Sequence, residues 1–473
     1  MQMKQEHWAE AQRAETLRLS GAYEQAIEIF EQLREEYSCN AWVNAHLGTT
    51  YCQLMDYGNA EKYLTTAVIR AVNKNNDKYL WAYAQLAETC RLRAITEHSQ
   101  DCKNEYIENA INYFKIALNI EDCCKTKLST KELKKSNYAW ALAHLGATYR
   151  LKLTDILPQL HSDTDWVSSA NEKEPQNTLE GIKKDALKCL NKAIELIPTY
   201  TWAWGMRATI YRLVQNYENS LWDLAVETVI TPEIEILQHS SSPIPFLESK
   251  RVALYEHGFL YFYLTKQERG KQKERNYVRA IAHFQKALIL KPGDLIAQLM
   301  LIIIEGSRQK DKQGGHLTEQ EINQILKRLD SLSKDTWSDM LKICRKILFC
   351  QIQLGQITKK DLTDIKEDAG EDHPLVKYIL KEKPDSKEVD KNPQLWLWEN
   401  LALTQTGSSV LCLFSDLSVL LNERHEIGTP EPYRRLAKII NPSYTIERLY
   451  QTPVLKEDQR KQIFQNLGFL PGG

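Results

Sequence analysis

Two stretches of eight residues that are nearly the same constrain the fold of this chain more than any other feature of its sequence. AHLGTTYC occupies residues 45–52 and AHLGATYR occupies residues 143–150, and the two share six residues in register. A segment that returns in register is an internal repeat. Internal repeats predict an array of similar structural units, each of which packs mainly on its neighbours.

Each copy is typical of the first helix of a helical hairpin. In the first copy, Leu47, Gly48 and Tyr51 lie on one face of a predicted helix. A break at residues 55–57 follows, and a second apolar stripe then runs from Ala60 to Ala67. The pattern predicts helix, turn and helix, with small residues where the two helices touch.

The hairpin resembles the tetratricopeptide repeat (TPR), a helical hairpin of 34 residues. Six units fit one register over roughly residues 6–305, and inserts interrupt three of them. The resemblance implies an all-α fold, a right-handed TPR solenoid whose concave groove binds a peptide or a helix. It is carried by Gly21, Tyr23, Ala26 and Phe30; Gly48, Tyr51, Ala60 and Ala67; Ala87, Ala110, Phe114 and Ala117; Gly146, Tyr149, Ala186, Leu190, Ala193 and Pro198; Ala208, Tyr211 and Tyr217; and Gly258, Tyr261, Ala280, Phe284, Ala287 and Pro292.

Tryptophan and arginine recur at two register positions that the resemblance assigns to the groove. Five successive first helices carry a tryptophan at one position, namely Trp8, Trp42, Trp81, Trp140 and Trp202. Four of them carry an arginine ten residues later, namely Arg18, Arg91, Arg150 and Arg212. These residue types are common in binding hot spots, so we expect them to contact a partner. In the alternative interpretation, each Trp packs on the preceding repeat and the arginines pair with Glu15 or Glu88.

Three functions remain open. The first is a non-enzymatic scaffold or adaptor whose Trp/Arg-lined groove binds a segment of a partner protein. The second is an RNA-binding protein, because the chain resembles the interferon-induced TPR proteins in its length, its irregular inserts and its basic, aromatic interior. The third is a regulatory subunit that gates a separate enzyme. The net charge of −1 by itself favours neither a nucleic-acid partner nor a membrane partner.

No motif for catalysis, a cofactor or a metal ion is found in the sequence. The phosphate-binding, dinucleotide-binding, nucleophile-elbow and zinc-protease motifs are all missing, and the ten cysteines form no Cys-x-x-Cys pair. We therefore expect no enzyme, no cofactor and no metal site. The first residues are polar and charged, and no apolar run is long enough to span a membrane, so a cytoplasmic protein with reduced thiols is expected. The oligomeric state is left open.

Composition divides the chain into three predicted regions. Residues 1–308 form the TPR solenoid, residues 309–391 form a helical extension and a charged linker, and residues 392–473 form a C-terminal helical cap or docking region. Within the extension, Thr318 and Glu321 have the spacing of a capping box, which predicts that a helix begins there. Basic stretches at residues 124–135 and 266–279 are predicted to lie in connections between helices, and residues 152–180 are predicted to form a flexible insert.

Overall fold

A computed structural model describes residues 3–75, 79–97, 99–119, 135–160, 173–230 and 244–332, with ten further positions between 412 and 452. The chain divides into two compact units. The first comprises Met1–Leu153 and Asn177–Met206, and the second comprises Thr154–Gln176 and Arg207–Gly473. Regular structure in the described ranges is helical throughout, as the all-α prediction required.

The first unit is built from consecutive helical hairpins. Each odd-numbered helix is the first helix of a hairpin and packs against the even-numbered helix that follows it. The helices are α1 (Gln5–Leu19), α2 (Tyr23–Glu36), α3 (Ala41–Gln53), α4 (Tyr57–Asn75), α5 (Leu80–Thr96), α6 (Gln100–Ala117), α7 (Lys135–Leu160) and α8 (Lys173–Leu196), followed by α9 (Thr201–Leu213), which begins in this unit.

The second unit continues the same alternation. It contains most of α9 together with α10 (Tyr217–Ile230), α11 (Ile244–Leu264), α12 (Gly270–Leu290), α13 (Leu295–Lys312) and α14 (Glu319–Ser331). Thr318 caps α14: its hydroxyl accepts the N–H of Glu321, and the Glu321 carboxylate accepts the N–H of Thr318. The predicted capping box is confirmed.

Three of the hairpin turns use the same backbone conformation. Gly21, Met55 and Gln215 occupy equivalent places between the first and second helices, and their φ angles are 87°, 63° and 59°. A left-handed residue reverses the chain within a short turn, but it strains any residue that carries a Cβ atom. Only the first of the three turns has glycine there.

The two helices of a hairpin approach closely at glycine. A Cβ atom added to Gly48 would lie 2.7 Å from Cγ of Leu64, and one added to Gly146 would lie 2.7 Å from Cγ of Leu190. These separations are shorter than a carbon–carbon contact allows. The two glycines belong to the duplicated eight-residue stretches, so the repeat recurs because the same helix contact recurs. The predicted small residues at the helix contact are confirmed.

Large apolar side chains fill the space between helices at one repeated position. Phe30, Phe114 and Phe284 are fully buried, and each comes from the second helix of its hairpin. In the second unit, Leu413 and Leu417 belong to the same hydrophobic cluster as the buried apolar side chains of α13. Part of the predicted C-terminal cap thus contributes to this core, while the three predicted region boundaries stay predictions.

Two of the predicted connections are partly helical instead. The basic stretch 266–279 was expected between helices, but α12 begins at Gly270, so most of the stretch forms the first turns of that helix. Similarly, residues 152–160 extend α7 and residues 173–180 begin α8. An insert with helical propensity lengthens its flanking helices because each added turn forms its own hydrogen bonds. Residues 124–134 and 161–172 lie outside the described residues, as do 333–411.

Candidate partner-binding face of the first helices

His46 on α3 is sandwiched between two tryptophan rings. Trp42, one turn earlier on the same helix, stacks on the imidazole with ring centroids 3.9 Å apart, and Trp81 from α5 stacks on its other face at 4.7 Å. A Trp-x-x-x-His spacing places the first two rings one above the other on a helix. The third ring comes from the next hairpin, so the sandwich joins successive repeats.

The same imidazole is held from behind by a carboxylate. Nδ1 of His46 lies 2.7 Å from Oε2 of Glu15 on α1, and Glu15 also forms an ion pair with Arg18 at 2.6 Å, one turn along α1. Burial alone would raise the pKa of Glu15, but hydrogen bonds from Arg18 and His46, together with the charge of Arg18, outweigh it and lower that pKa to about 2. Because an ionised carboxylate only accepts hydrogen bonds, Nδ1 of His46 is the donor.

An equivalent arrangement occurs two hairpins later. Nδ1 of His144 on α7 lies 2.7 Å from Oε2 of Glu88, and Glu88 pairs with Arg91 at 2.6 Å. The His144 ring lies 4.1 Å from Trp140 and 4.3 Å from Trp202 between centroids. We call Glu15, Arg18, Trp42, His46 and Trp81 the first stacking module, and Glu88, Arg91, Trp140, His144 and Trp202 the second.

The flanking aromatic residues are duplicated as well. Phe30 meets the Trp42 ring edge-on at 6.2 Å, and Phe114 meets the Trp140 ring edge-on at 6.3 Å. On the other side, Tyr79 lies 6.0 Å from its module's tryptophan Trp81. The corresponding distance from Tyr200 to Trp202 in the second module is 6.1 Å. Both modules belong to the first unit. Because the second module lies two hairpins after the first, the arrangement repeats every two hairpins rather than every one.

Both histidines are neutral at physiological pH. Burial lowers the pKa of His46 below its usual value of 6.5, and the nearby Glu15 only partly offsets that effect. Burial likewise lowers the pKa of His144 despite the charge of Glu88. With a neutral imidazole, each module holds one carboxylate and one guanidinium. Each module therefore carries no net charge.

The predicted tryptophans take part in packing and also reach the surface. Trp8 is 38% exposed and meets the Trp42 ring edge-on at 5.1 Å. The other four, Trp42, Trp81, Trp140 and Trp202, are partly exposed at the edges of the stacks. The alternative interpretation of the sequence describes their packing, and their contact with a ligand stays a prediction.

Three of the four predicted arginines form ion pairs. Arg18 and Arg91 are buried against their module's carboxylate, as the alternative interpretation expected. Arg212 is buried in the second unit and pairs there with Glu256. Arg150 lies half-buried on α7. A role for these four residues in binding is likewise still a prediction.

The sequence analysis missed the pairing of histidine with glutamate across repeats. The signal is an alternation over the first four hairpins: the first and third carry Glu-x-x-Arg, and the second and fourth carry Trp-x-x-x-His. It emerges only when the repeats are compared two at a time. A register of one hairpin groups Glu15 with Thr49, which hides the pattern.

A second set of buried charges lies in the second unit. Asp223 pairs with Arg207 at 2.7 Å, and nearby Glu227 is buried. Burial, together with the charges of Glu256 and Asp223, raises the pKa of Glu227 to about 8. Across the described part of the chain, no three His, Cys, Asp or Glu side chains come together in a way that would hold a metal ion.

Helix pairs of repeated length, a repeated glycine contact and a repeated buried phenylalanine define the class: this chain has the fold of a tetratricopeptide-repeat protein. A scan against models of known protein families gives no match, and neither does a search of curated protein sequences. None of the helices in the described ranges is both long enough and apolar enough to cross a membrane.

Several solved structures are similar in fold. A TPR protein of Thermus thermophilus is 17% identical, with a TM-score of 0.35 over 51% of this chain and 98% of its own. The C-terminal part of a TPR protein from Cytophaga hutchinsonii is 15% identical, with a TM-score of 0.32 over 62% of this chain and 99% of its own. Human IFIT1 in complex with m7Gppp-AAAA is 14% identical, with a TM-score of 0.26 over 93% of this chain and 91% of its own. Scores this low support no conclusion about function.

Proposed function

We propose that this chain is a non-enzymatic scaffold that binds a segment of a partner protein along the first helices of its hairpins. One observation carries the proposal: both stacking modules place partly exposed tryptophans beside charges that cancel within the module. Neutral aromatic surface with donor groups suits a polypeptide, because Trp combines a large contact area with an N–H donor.

The charge balance is the reason to prefer a protein over RNA. Binding to a phosphate backbone depends on cations that are available to phosphate oxygens. Arg18 and Arg91 already form two hydrogen bonds each to carboxylates within their own helices. To bind phosphate, each would have to leave its carboxylate buried without its positive partner, which is costly.

The test is a pull-down from the native host with the full chain, in which nuclease is added to half of each sample. The variant replaces Trp42, Trp140 and Trp202 by alanine. Trp222→Ala is the matched control, because Trp222 is 67% exposed and lies outside both modules. We expect a protein partner that survives nuclease, is lost in the triple variant and is retained by the control.

Alanine at a stacked position also removes packing, so a milder variant is needed beside it. Trp81→Phe with Trp202→Phe keeps a ring on each histidine and removes the indole N–H. A melting temperature close to that of the parent, with partner binding weakened, supports the proposal. Loss of the captured material on nuclease treatment would favour the RNA alternative. A captured enzyme whose rate changes on binding would favour the regulatory-subunit alternative.

A further inference from the structure

The stacking modules leave several hydrogen-bond donors without a partner. In the two modules and the tyrosines beside them, six donor groups on partly exposed side chains make no hydrogen bond to the described residues. They are Nε1 of Trp42, Trp81, Trp140 and Trp202 and the hydroxyls of Tyr79 and Tyr200. By contrast, Nε1 of Trp204, which lies outside the modules, donates to the carbonyl of Pro198 at 2.8 Å. The four module tryptophans make no such bond, so their N–H groups stay available to a ligand.

Acceptors are scarcer than donors on the same surface. Each module offers two indole N–H groups and one phenol O–H. Opposite these donors stands one imidazole acceptor, Nε2 of His46 or His144, because Nδ1 donates to the carboxylate behind it. The carboxylate and the guanidinium of each module bond to one another and cancel in charge. The ligand that complements this surface is uncharged and rich in acceptors.

A proline-rich segment has this chemistry. Proline carries no backbone N–H, while its carbonyl still accepts hydrogen bonds. Consecutive prolines adopt the polyproline II helix, whose carbonyls are exposed to solvent and whose rings pack against aromatic side chains. Tyr79 beside Trp81, and Tyr200 beside Trp202, each offer two adjacent rings with donors at their rims.

The spacing of the modules sets the length of such a ligand. The modules are two hairpins apart, and neighbouring packed helices lie roughly 8–10 Å apart, so equivalent groups are separated by about 20 Å. A polyproline II helix rises about 3.1 Å per residue, so about six or seven residues cover that separation. A ligand that reaches both modules is therefore longer than one that reaches a single module.

We propose that the two stacking modules of the first unit together bind one proline-rich, polyproline II segment, with each Tyr–Trp pair and its indole donors taking one turn of it. The proposal rests on the scaffold function above and names the chemistry of the bound segment. The two modules act as linked sites, so occupying both gives a tighter complex than occupying one.

Calorimetric titration of the full chain with synthetic peptides tests this proposal. The probe is an all-proline peptide of about fourteen residues, long enough to contact both modules at about 3.1 Å per residue. An all-proline peptide of about five residues reaches one module only. We expect the long peptide to bind at least tenfold more tightly than the short one, and a glycine-serine peptide of the long length to give no heat.

Variants that change one atom separate binding from folding. Tyr79→Phe and Tyr200→Phe remove only the hydroxyl, which has no partner in the described chain, so their melting temperatures should equal that of the parent. Each loss of a hydrogen bond to the ligand weakens binding by about three- to tenfold, and the double variant should lose about the product of the two. Trp222→Phe serves as the control and should leave the affinity unchanged.

Three results would overturn the proposal: no heat with the long proline peptide at millimolar concentration, equal affinity for the long and short peptides, or unchanged affinity in both tyrosine variants. The scaffold function fails separately. If the pull-down still yields a nuclease-resistant partner that depends on the module tryptophans, the scaffold stands and only the proline-rich ligand is wrong.

Discussion

At the scale of single residues, the chain buries titratable groups and fixes their charge states through their neighbours. His257 on α11 is buried and stacks on His283 of α12 with ring centroids 4.7 Å apart. Burial, with the charge of Lys286 nearby, lowers the pKa of His257 to about 3 and that of His283 to about 4. Both rings are neutral in the folded chain, which is how two imidazoles can stack.

This pair predicts that acid destabilises the second unit. In the unfolded chain each histidine takes up a proton below about pH 6.5, whereas the folded chain resists protonation until about pH 3–4. The stability that this neutral histidine pair contributes is therefore fully present above about pH 7 and is lost as the pH falls. The loss at pH 5 is about 2 kcal/mol or less for each histidine.

Chemical denaturation at pH 7 and pH 5 measures this loss. His257→Gln should make the difference between the two pH values smaller, because one of the two buried imidazoles is gone. His316, for which no such burial exists, supplies the control variant His316→Gln. A pH dependence that stays the same in His257→Gln would show that the stacked pair is not its source.

At the scale of elements, the hairpin is set by a close contact between its helices. Replacing Gly48 by alanine places a methyl group against Leu64 and the backbone of Ala60. The added methyl group can be accommodated only if α3 and α4 move apart. We therefore expect the free energy of unfolding to fall by about 1–3 kcal/mol. Gly181→Ala is the control, because Gly181 is helical with open space around it, and alanine there should stabilise the helix by up to about 1 kcal/mol.

Thermal melting of the two variants gives the comparison. Opposite shifts, downward for Gly48→Ala and upward for Gly181→Ala, are expected. If Gly48→Ala melted with the parent, the duplicated stretch would not owe its glycine to helix contact.

The turns offer a prediction with the opposite sign. Met55 and Gln215 hold φ angles of 63° and 59°, which cost a residue with a side chain about 1–2 kcal/mol. Glycine removes that strain but adds freedom to the unfolded chain, so Met55→Gly should be stabilising by about 0.5–1 kcal/mol net. Denaturant midpoints measure it. Gly21→Ala, the reverse change at the equivalent turn, should lower the midpoint.

At the scale of the whole molecule, the charge of the chain is balanced locally as well as overall. The chain has 61 basic and 62 acidic residues. Each module of the first unit likewise pairs one carboxylate with one guanidinium. We therefore expect partner binding to vary by less than tenfold between 50 and 200 mM salt. A protein that neutralises many phosphates loses about a thousandfold or more over that range. The affinity of the captured partner, measured at both salt concentrations, decides between a protein partner and RNA.

The sequence predicted the repeats better than it predicted the site. Gly48, Gly146 and Phe30 could be assigned from one register, because helix contacts recur in every hairpin and leave a mark in every repeat. The pairing of His46 with Glu15 could not be assigned in this way. The two residues are 31 positions apart and at different register positions, so their contact depends on how one hairpin is rotated against the next.

The same limit applies to the arginines. Residue type and position placed Arg91 on the groove face, but whether its guanidinium points to a ligand or to Glu88 depends on a side-chain conformation that periodicity does not encode. The inserts were a different failure. Charged residues between 270 and 279 indicated a loop, although such residues also form helices readily once a neighbouring helix nucleates them.

The two-hairpin period restricts how a chain of this design can grow or shrink. Removing one hairpin, residues 42–80, would bring α5 next to α2, and Gln85 would then take the place of His46 opposite Glu15. The Glu15 carboxylate would lose its imidazole donor, and only the second module would stay complete. Removing two hairpins would restore the match. Viable length variants should therefore differ by pairs of hairpins, because the pair is the structural unit that repeats.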